Sequence, residues 1–181
     1  MAKLEITPIS PVLGAEVRGV DLAGGIDDVM FAVLHAAFLD HGVLLFKDQT
    51  SMVADVQVAF ARRLGPLHEH PAAPAEHDDP AVFLIRTHRD SPISNGNGWH
   101  SDVSCAEEPP SVTMLQVHVL PEGGGGDTLF ADMEAAYASL EPDVRSRLCG
   151  LSAHHGSEHV YRGRYADRGA VDDGVTYPTA V

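Results

Sequence analysis

Gly98-Trp99-His100-Ser101-Asp102-Val103 is the stretch from which the fold of this chain is read. Side chains of a β-strand alternate between its two faces, so residues two apart stand on the same face. The spacing therefore predicts a strand that presents the His100 imidazole and the Asp102 carboxylate together, as two donors to one metal ion. With a second histidine they would form a facial triad, which leaves positions open on Fe(II) for a co-substrate and oxygen. Alone, the triplet is a weak signal, because short patterns of this kind arise by chance.

Working outward, Pro109-Pro110 closes the segment, and Val112 to Leu120 alternates imperfectly, which predicts a strand. Gly123-Gly124-Gly125-Gly126 is a turn that reaches unusual backbone angles and delivers Asp127-Thr128-Leu129-Phe130 as the next strand. Met133 to Leu140 and Pro142 to Leu148 read as short helices. On the N-terminal side, Asp90 to Gly98 is a loop of Ser, Pro, Asn and Gly that runs into His100. Val82-Phe83-Leu84-Ile85 reads as a strand and Pro71 to Pro80 as a proline-bearing loop.

The first part of the chain has plainer signals. Leu4 to Ile9 alternates and contains Pro8, which suits an edge strand. Asp27-Asp28 opens a helix with Met30, Val33, Leu34 and Phe38 at helical spacing, and Gly42 ends it. Val43-Leu44-Leu45-Phe46 has the character of a buried strand. Ser51 is a candidate cap for a second helix, with Met52, Val56, Ala59 and Phe60 inside, which Gly65-Pro66 breaks.

At 181 residues and 44% hydrophobic content the chain is long enough for one domain with a core. A net charge of -14, with only 12 Lys and Arg spread along the sequence, argues against nucleic acid and against an anionic membrane surface. No apolar run approaches a spanning helix and Met1 to Glu5 lacks a signal-peptide h-region, so the chain reads as cytoplasmic. Cys105 and Cys149, far apart in sequence, read as free thiols, with Cys105 a small buried residue beside the His100 segment.

Trp99 before the His-X-Asp pair, Pro109-Pro110 after it and Gly125-Gly126-Asp127-Thr128-Leu129-Phe130 further on resemble the taurine and alpha-ketoglutarate-dependent dioxygenases, a family with herbicide-degrading and alkylsulfatase members. Further matches run in order along the chain: Ile6-Thr7-Pro8, Gly14-Ala15-Glu16-Val17, Gly19-Val20-Asp21-Leu22, Leu45-Phe46-Lys47-Asp48-Gln49 and Phe60-Ala61-Arg62-Arg63-Leu64-Gly65. Several matches in register are far more specific than one motif. The resemblance implies an α+β fold, a double-stranded β-helix or jelly roll with flanking helices, and an oxygenase that uses Fe(II), 2-oxoglutarate and O2 to hydroxylate a small acid.

Residue by residue, the resemblance makes His100 and Asp102 two iron ligands and gives Thr128 the far carboxylate of 2-oxoglutarate. It gives His70 the anionic head group of the substrate, where a protonated ring would suit a sulfonate or carboxylate. The competing reading of His70 is a solvated loop histidine, and His68 is read as that plainer case. Asn95 takes a substrate-contacting amide, although one extra residue in its loop leaves Asn97 as an alternative. Ala73 and Ser157 stand where the taurine enzyme has aromatic residues, so the resemblance implies a pocket for a substrate bulkier than taurine: an alkyl or aryl sulfonate, a sulfate ester or a carboxylate.

In the family the distal iron-binding histidine and the arginine for 2-oxoglutarate lie beyond the position matching Val181. His118, His154, His155 and His159 are not matches to that ligand, nor are Arg162, Arg164 and Arg168 matches to the arginine. The expectation is a single dioxygenase domain of which residues 1–181 are the N-terminal portion, incomplete at its C-terminus, with unpaired strands and exposed apolar edges. A homo-oligomer is compatible with the sequence. Two other classes stay open: a catalytically inactive jelly-roll binding module, and a zinc hydrolase using His100 and Asp102 with a metal-bound water.

Overall fold

The structure is a computed structural model in which residues 3–70, 77–88, 90–91, 96, 98–163 and 179–180 are described. It is α+β with small sheets, and the chain divides into two compact units. The first comprises Met1–Gln57 with Gln116–Leu151, the second Val58–Leu115 with Ser152–Val181.

In the first unit, strands β1 (Glu5–Pro8), β2 (Ala15–Arg18) and β3 (Leu44–Phe46) form one sheet in that order. β1 runs antiparallel to β2, with Ile6 opposite Val17, and β3 runs parallel to β2, with Leu45 opposite Glu16. Pro8 has no N–H to donate to a ladder, so β1 takes the edge, as the sequence predicts. Ala15 and Val17 on the central strand are fully buried. Gly19, at φ 77°, ends β2 where a Cβ would lie 2.1 Å from the Lys3 carbonyl oxygen; only glycine fits.

Helix α1 (Asp28–His41) makes the crossover between the parallel strands. Asp27 caps it by accepting the Met30 N–H at 2.7 Å, and Gly42, in the left-handed conformation, closes it with its N–H on the Phe38 carbonyl. Its inward stripe is Leu34 and Ala37, while Val33, expected inside, is exposed. The Gln49 side chain follows β3 and clasps three backbone groups: it donates to the Val20 and Lys47 carbonyls, each at 2.8 Å, and accepts the Leu22 N–H at 3.0 Å.

Helix α2 (Ala54–Arg62) begins later than Ser51 predicts. Gln116 donates to the Met52 carbonyl at 2.8 Å and the Met52 N–H closes a turn on Gln49, so Met52, although buried, stays outside the helix. Inside the helix Val58, rather than Ala59, is the buried residue. Helices α3 (Met133–Ala138), capped by Asp132, and α4 (Pro142–Leu148), with Pro at its start, occupy the two predicted positions.

The strands predicted at 82–85, 112–120 and 127–130 are not formed among the described residues. Alternation marks which face a strand would bury, but a strand exists only in a ladder, and no ladder partner for these segments is present among the described residues. In the two later segments Leu115, Val117, Val119, Leu120, Leu129 and Phe130 are exposed, while Val82, Phe83 and Leu84 are half-buried. Double-stranded β-helix packing is therefore not formed among the described residues, which hold a three-stranded sheet and a two-stranded one.

The second unit holds that smaller sheet, β4 (His155–Gly156) antiparallel to β5 (Thr179–Ala180), and the single-turn helix α5 (Glu158–Tyr161). Cys105 is buried and Cys149 exposed, and both are free thiols. No helix among the described residues is long and apolar enough to cross a membrane.

Candidate metal centre

His100 and Asp102 meet through a turn and not along a strand, which corrects the predicted geometry. Residues Asp102 to Cys105 turn, closed by the Ala106 N–H on the Val103 carbonyl at 3.0 Å. Val103 takes φ 48°, a left-handed conformation that a β-branched residue adopts only under constraint. Two residues of a strand would share a face with parallel side chains. The turn instead converges them, so that His100 Nε2 lies 3.3 Å from Asp102 Oδ1.

Both side chains are held from behind. His100 Nδ1 sits 2.9 Å from the Gly98 carbonyl oxygen. A carbonyl can only accept, so the hydrogen of the neutral ring is on Nδ1 and the lone pair is on Nε2, the atom that faces Asp102. The Thr113 hydroxyl donates to Asp102 Oδ2 at 2.7 Å, which leaves Oδ1 toward His100. Each donor thus has its outer atom engaged by a neighbour and its inner atom turned toward the other donor, the pattern by which an outer partner orients a metal ligand.

The spacing agrees with that chemistry. Two donors each about 2.1 Å from a metal and at right angles to one another are about 3.0 Å apart, close to the observed 3.3 Å. About half of each side chain is exposed, so an ion can reach the pair. An imidazole and a carboxylate suit Fe(II). The two residues therefore fit two corners of a facial iron site. Among the described residues no group of three His, Cys, Asp or Glu side chains could hold a metal.

His70 belongs to the same unit. Its ring packs against Phe83, with centroids 4.9 Å apart, and edge-on to Tyr161 at 4.7 Å. Burial pushes its imidazole below the ordinary value, the neighbouring His68 lowers it further, and the Asp102 charge acts in the opposite direction. Burial between the two aromatic rings thus works against the protonated ring that would suit an anionic head group, while the Asp102 charge favours it. His68, read as a plain loop residue, is half-buried, and its Nε2 is buried without a hydrogen-bond partner among the described residues.

The other predicted site residues are placed as follows. Thr128 is exposed and belongs to the first unit, whereas His70, His100 and Asp102 belong to the second. Asn95, its alternative Asn97, and Ala73 lie outside the described residues, as do Arg164 and Arg168. Ser157 is buried, and its carbonyl accepts the N–H groups of Val160 and Tyr161. His154, His159 and Arg162 line an open groove of about 680 Å³ with Gly156, Glu158 and Thr179. His155 is engaged elsewhere, its Nδ1 lying 3.0 Å from Ser104 Oγ.

Two partners of the pair were not read from the sequence. A backbone carbonyl such as that of Gly98 has no side-chain mark, and Thr113 looks like any β-branched residue following Pro109-Pro110.

A sequence profile of the taurine catabolism dioxygenase TauD, TfdA family matches residues 5–181. The chain is 33% identical over 159 residues to an alpha-ketoglutarate-dependent sulfate ester dioxygenase of Pseudomonas putida, covering 88% of this chain and 52% of that protein. To the (S)-phenoxypropionate/alpha-ketoglutarate-dioxygenase of Sphingobium herbicidovorans it is 35% identical over 173 residues, covering 94% and 59%. Its structure is similar to that of a taurine dioxygenase from Burkholderia xenovorans, with a TM-score of 0.63, 27% identity, and coverage of 84% of this chain and 53% of the other. The chain thus spans about half the length of the relatives it matches.

Proposed function

This chain belongs to the taurine catabolism dioxygenase TauD, TfdA family, and from that premise we propose that it supplies the near half of the active site of an Fe(II)- and 2-oxoglutarate-dependent dioxygenase. The observation that carries the reading is the convergence of His100 Nε2 and Asp102 Oδ1, 3.3 Å apart, with the outer atom of each held by a separate neighbour. His100 and Asp102 would hold the iron. The Gly98 carbonyl fixes the imidazole tautomer that leaves Nε2 able to bind a cation, and Thr113 keeps the carboxylate from rotating.

When bound, iron and 2-oxoglutarate supply the oxidising power: O2 is consumed, 2-oxoglutarate becomes succinate and carbon dioxide, and a substrate C–H becomes C–OH. The protein's part is binding and orientation. Thr128 would donate its hydroxyl to the far carboxylate of 2-oxoglutarate. His70, braced between Phe83 and Tyr161, would meet the anionic head group of the substrate, and Asn95 would add an amide contact. No side-chain nucleophile is needed.

The third iron ligand and the arginine for 2-oxoglutarate would come from outside the described residues, which supply two donors. We propose that residues 1–181 correspond to the N-terminal portion of one dioxygenase domain. Supporting this are the half-length coverage of the relatives and the outward-facing apolar side chains of residues 115–130.

For the substrate we propose a small organic anion bulkier than taurine: a sulfonate, sulfate ester or carboxylate. Ala73 and Ser157, in place of aromatic residues, support it, as do relatives that act on a sulfate ester and on a phenoxypropionate. The test is succinate formation from 2-oxoglutarate with Fe(II) across taurine, alkyl and aryl sulfonates, sulfate esters and phenoxy acids, in the wild type and in His100→Ala. Turnover with a larger anion, lost in His100→Ala, is the expected result. Fastest succinate formation with taurine would defeat the substrate assignment, and turnover unchanged by His100→Ala would defeat the site.

A further inference from the structure

We infer that His155 is a positioning residue for the His100 and Asp102 pair, because its hydrogen bond to Ser104 clamps the turn that carries Asp102. The inference rests on the iron reading of that pair. Ser104 stands two residues after Asp102, and between them Val103 holds φ 48°. Local preference does not sustain a left-handed β-branched residue; surrounding contacts must impose it.

Two contacts do so. The Ala106 N–H on the Val103 carbonyl, at 3.0 Å, closes the turn from within. From outside, Ser104 Oγ lies 3.0 Å from His155 Nδ1, a residue 51 positions later in the chain. His155 opens β4, where it pairs with Ala180 of β5, so the clamp is anchored in a sheet. Whichever of the two atoms donates, the bond holds the turn. Cys105, the residue after Ser104, is buried.

The consequence is geometric. If Ser104 is released, Val103 can relax to negative φ, and the backbone on either side of it rotates. That rotation moves the Asp102 carboxylate away from His100 Nε2 and opens the 3.3 Å spacing that suits one metal ion. The Ser104 and His155 bond therefore acts on metal affinity through Asp102 without either residue touching the metal.

The test compares His155→Ala, Ser104→Ala, the double variant and His155→Asn in the full chain. The Asn amide nitrogen can occupy the place of the imidazole Nδ1 and retain the bond to Ser104. Two readouts are taken: amide hydrogen exchange at Ala106 without metal, and Co(II) affinity by visible absorption. Each Ala variant should speed exchange at Ala106 and weaken Co(II) binding roughly tenfold, the lower end of what outer partners of metal ligands contribute. The double variant should be no worse than either single one, and His155→Asn should restore both readouts. Unchanged exchange at Ala106 in Ser104→Ala overturns the clamp, as does a His155→Asn variant no better than His155→Ala. Faster exchange with unchanged Co(II) affinity overturns the positioning role. A wild type that binds no Co(II) defeats the iron reading and the positioning role with it, while the exchange measurement still decides the clamp.

Discussion

Thr113 donates its hydroxyl proton to Asp102 Oδ2 at 2.7 Å, from eleven positions further along the chain. The bond fixes which carboxylate oxygen faces His100. A carboxylate bound to a metal through one oxygen loses rotational freedom on binding, and a partner on the other oxygen removes that freedom beforehand. Thr113→Val keeps the branched shape and deletes the donor. It should weaken Co(II) or Fe(II) binding about tenfold, while Thr113→Ser should bind as the wild type does. A metal titration checks both, and equal affinity in the Val variant would show that Asp102 needs no such support.

Val103 yields a prediction of opposite sign to the usual one. At ordinary positions glycine is less stable than alanine, because it has more conformational freedom to lose. At φ 48° alanine is strained and glycine is not. Val103→Gly should therefore be more stable than Val103→Ala by about 1 kcal/mol, measured as the difference in urea midpoints. A more stable Val103→Ala would mean that the turn relaxes on losing the branched side chain.

The parts of this structure that the sequence predicts well are those with local causes. Asp27, the stripe through Leu34 and Gly42 define α1, because a cap, a periodicity and a left-handed stop all act within one helix. Pro8 puts β1 at an edge for an equally local reason. The segments at 82–85, 112–120 and 127–130 have strand patterns, but pairing is a property of two segments and needs a neighbour outside the pattern itself. The nearness of His100 and Asp102 follows from their spacing, yet it arises from a left-handed Val103 that no local preference announces. Gly98 and Thr113 act through a carbonyl and a hydroxyl whose direction only the fold sets.

His70 makes stability depend on pH. Burial lowers its folded value below the ordinary value of about 6.5, so in the window between the two the unfolded chain binds more protons than the folded one. Stability then rises with pH through that window and is lost as pH falls through it. His70→Phe keeps a ring between Phe83 and Tyr161 and removes the titration. Its stability relative to wild type should increase as pH drops below the ordinary imidazole range, followed by urea midpoints on either side of it. A difference that does not vary with pH would mean that His70 titrates alike in both states.

Gln49 satisfies three backbone groups of the first unit. Its amide nitrogen serves two carbonyls, those of Val20 and Lys47, and its oxygen serves the Leu22 N–H next to buried Leu22. Removing one partner of a hydrogen bond leaves the other unpaired and desolvated, which costs more than the bond's net contribution. Gln49→Glu is nearly isosteric, but an ionised carboxylate accepts only, so it would meet two carbonyl oxygens with no proton to offer. It should destabilise the chain by about 2 kcal/mol, at least as much as Gln49→Ala, and lowering the pH to protonate the new carboxyl should recover part of the loss. Equal urea midpoints for wild type and Gln49→Glu at neutral pH would show that water replaces the clasp.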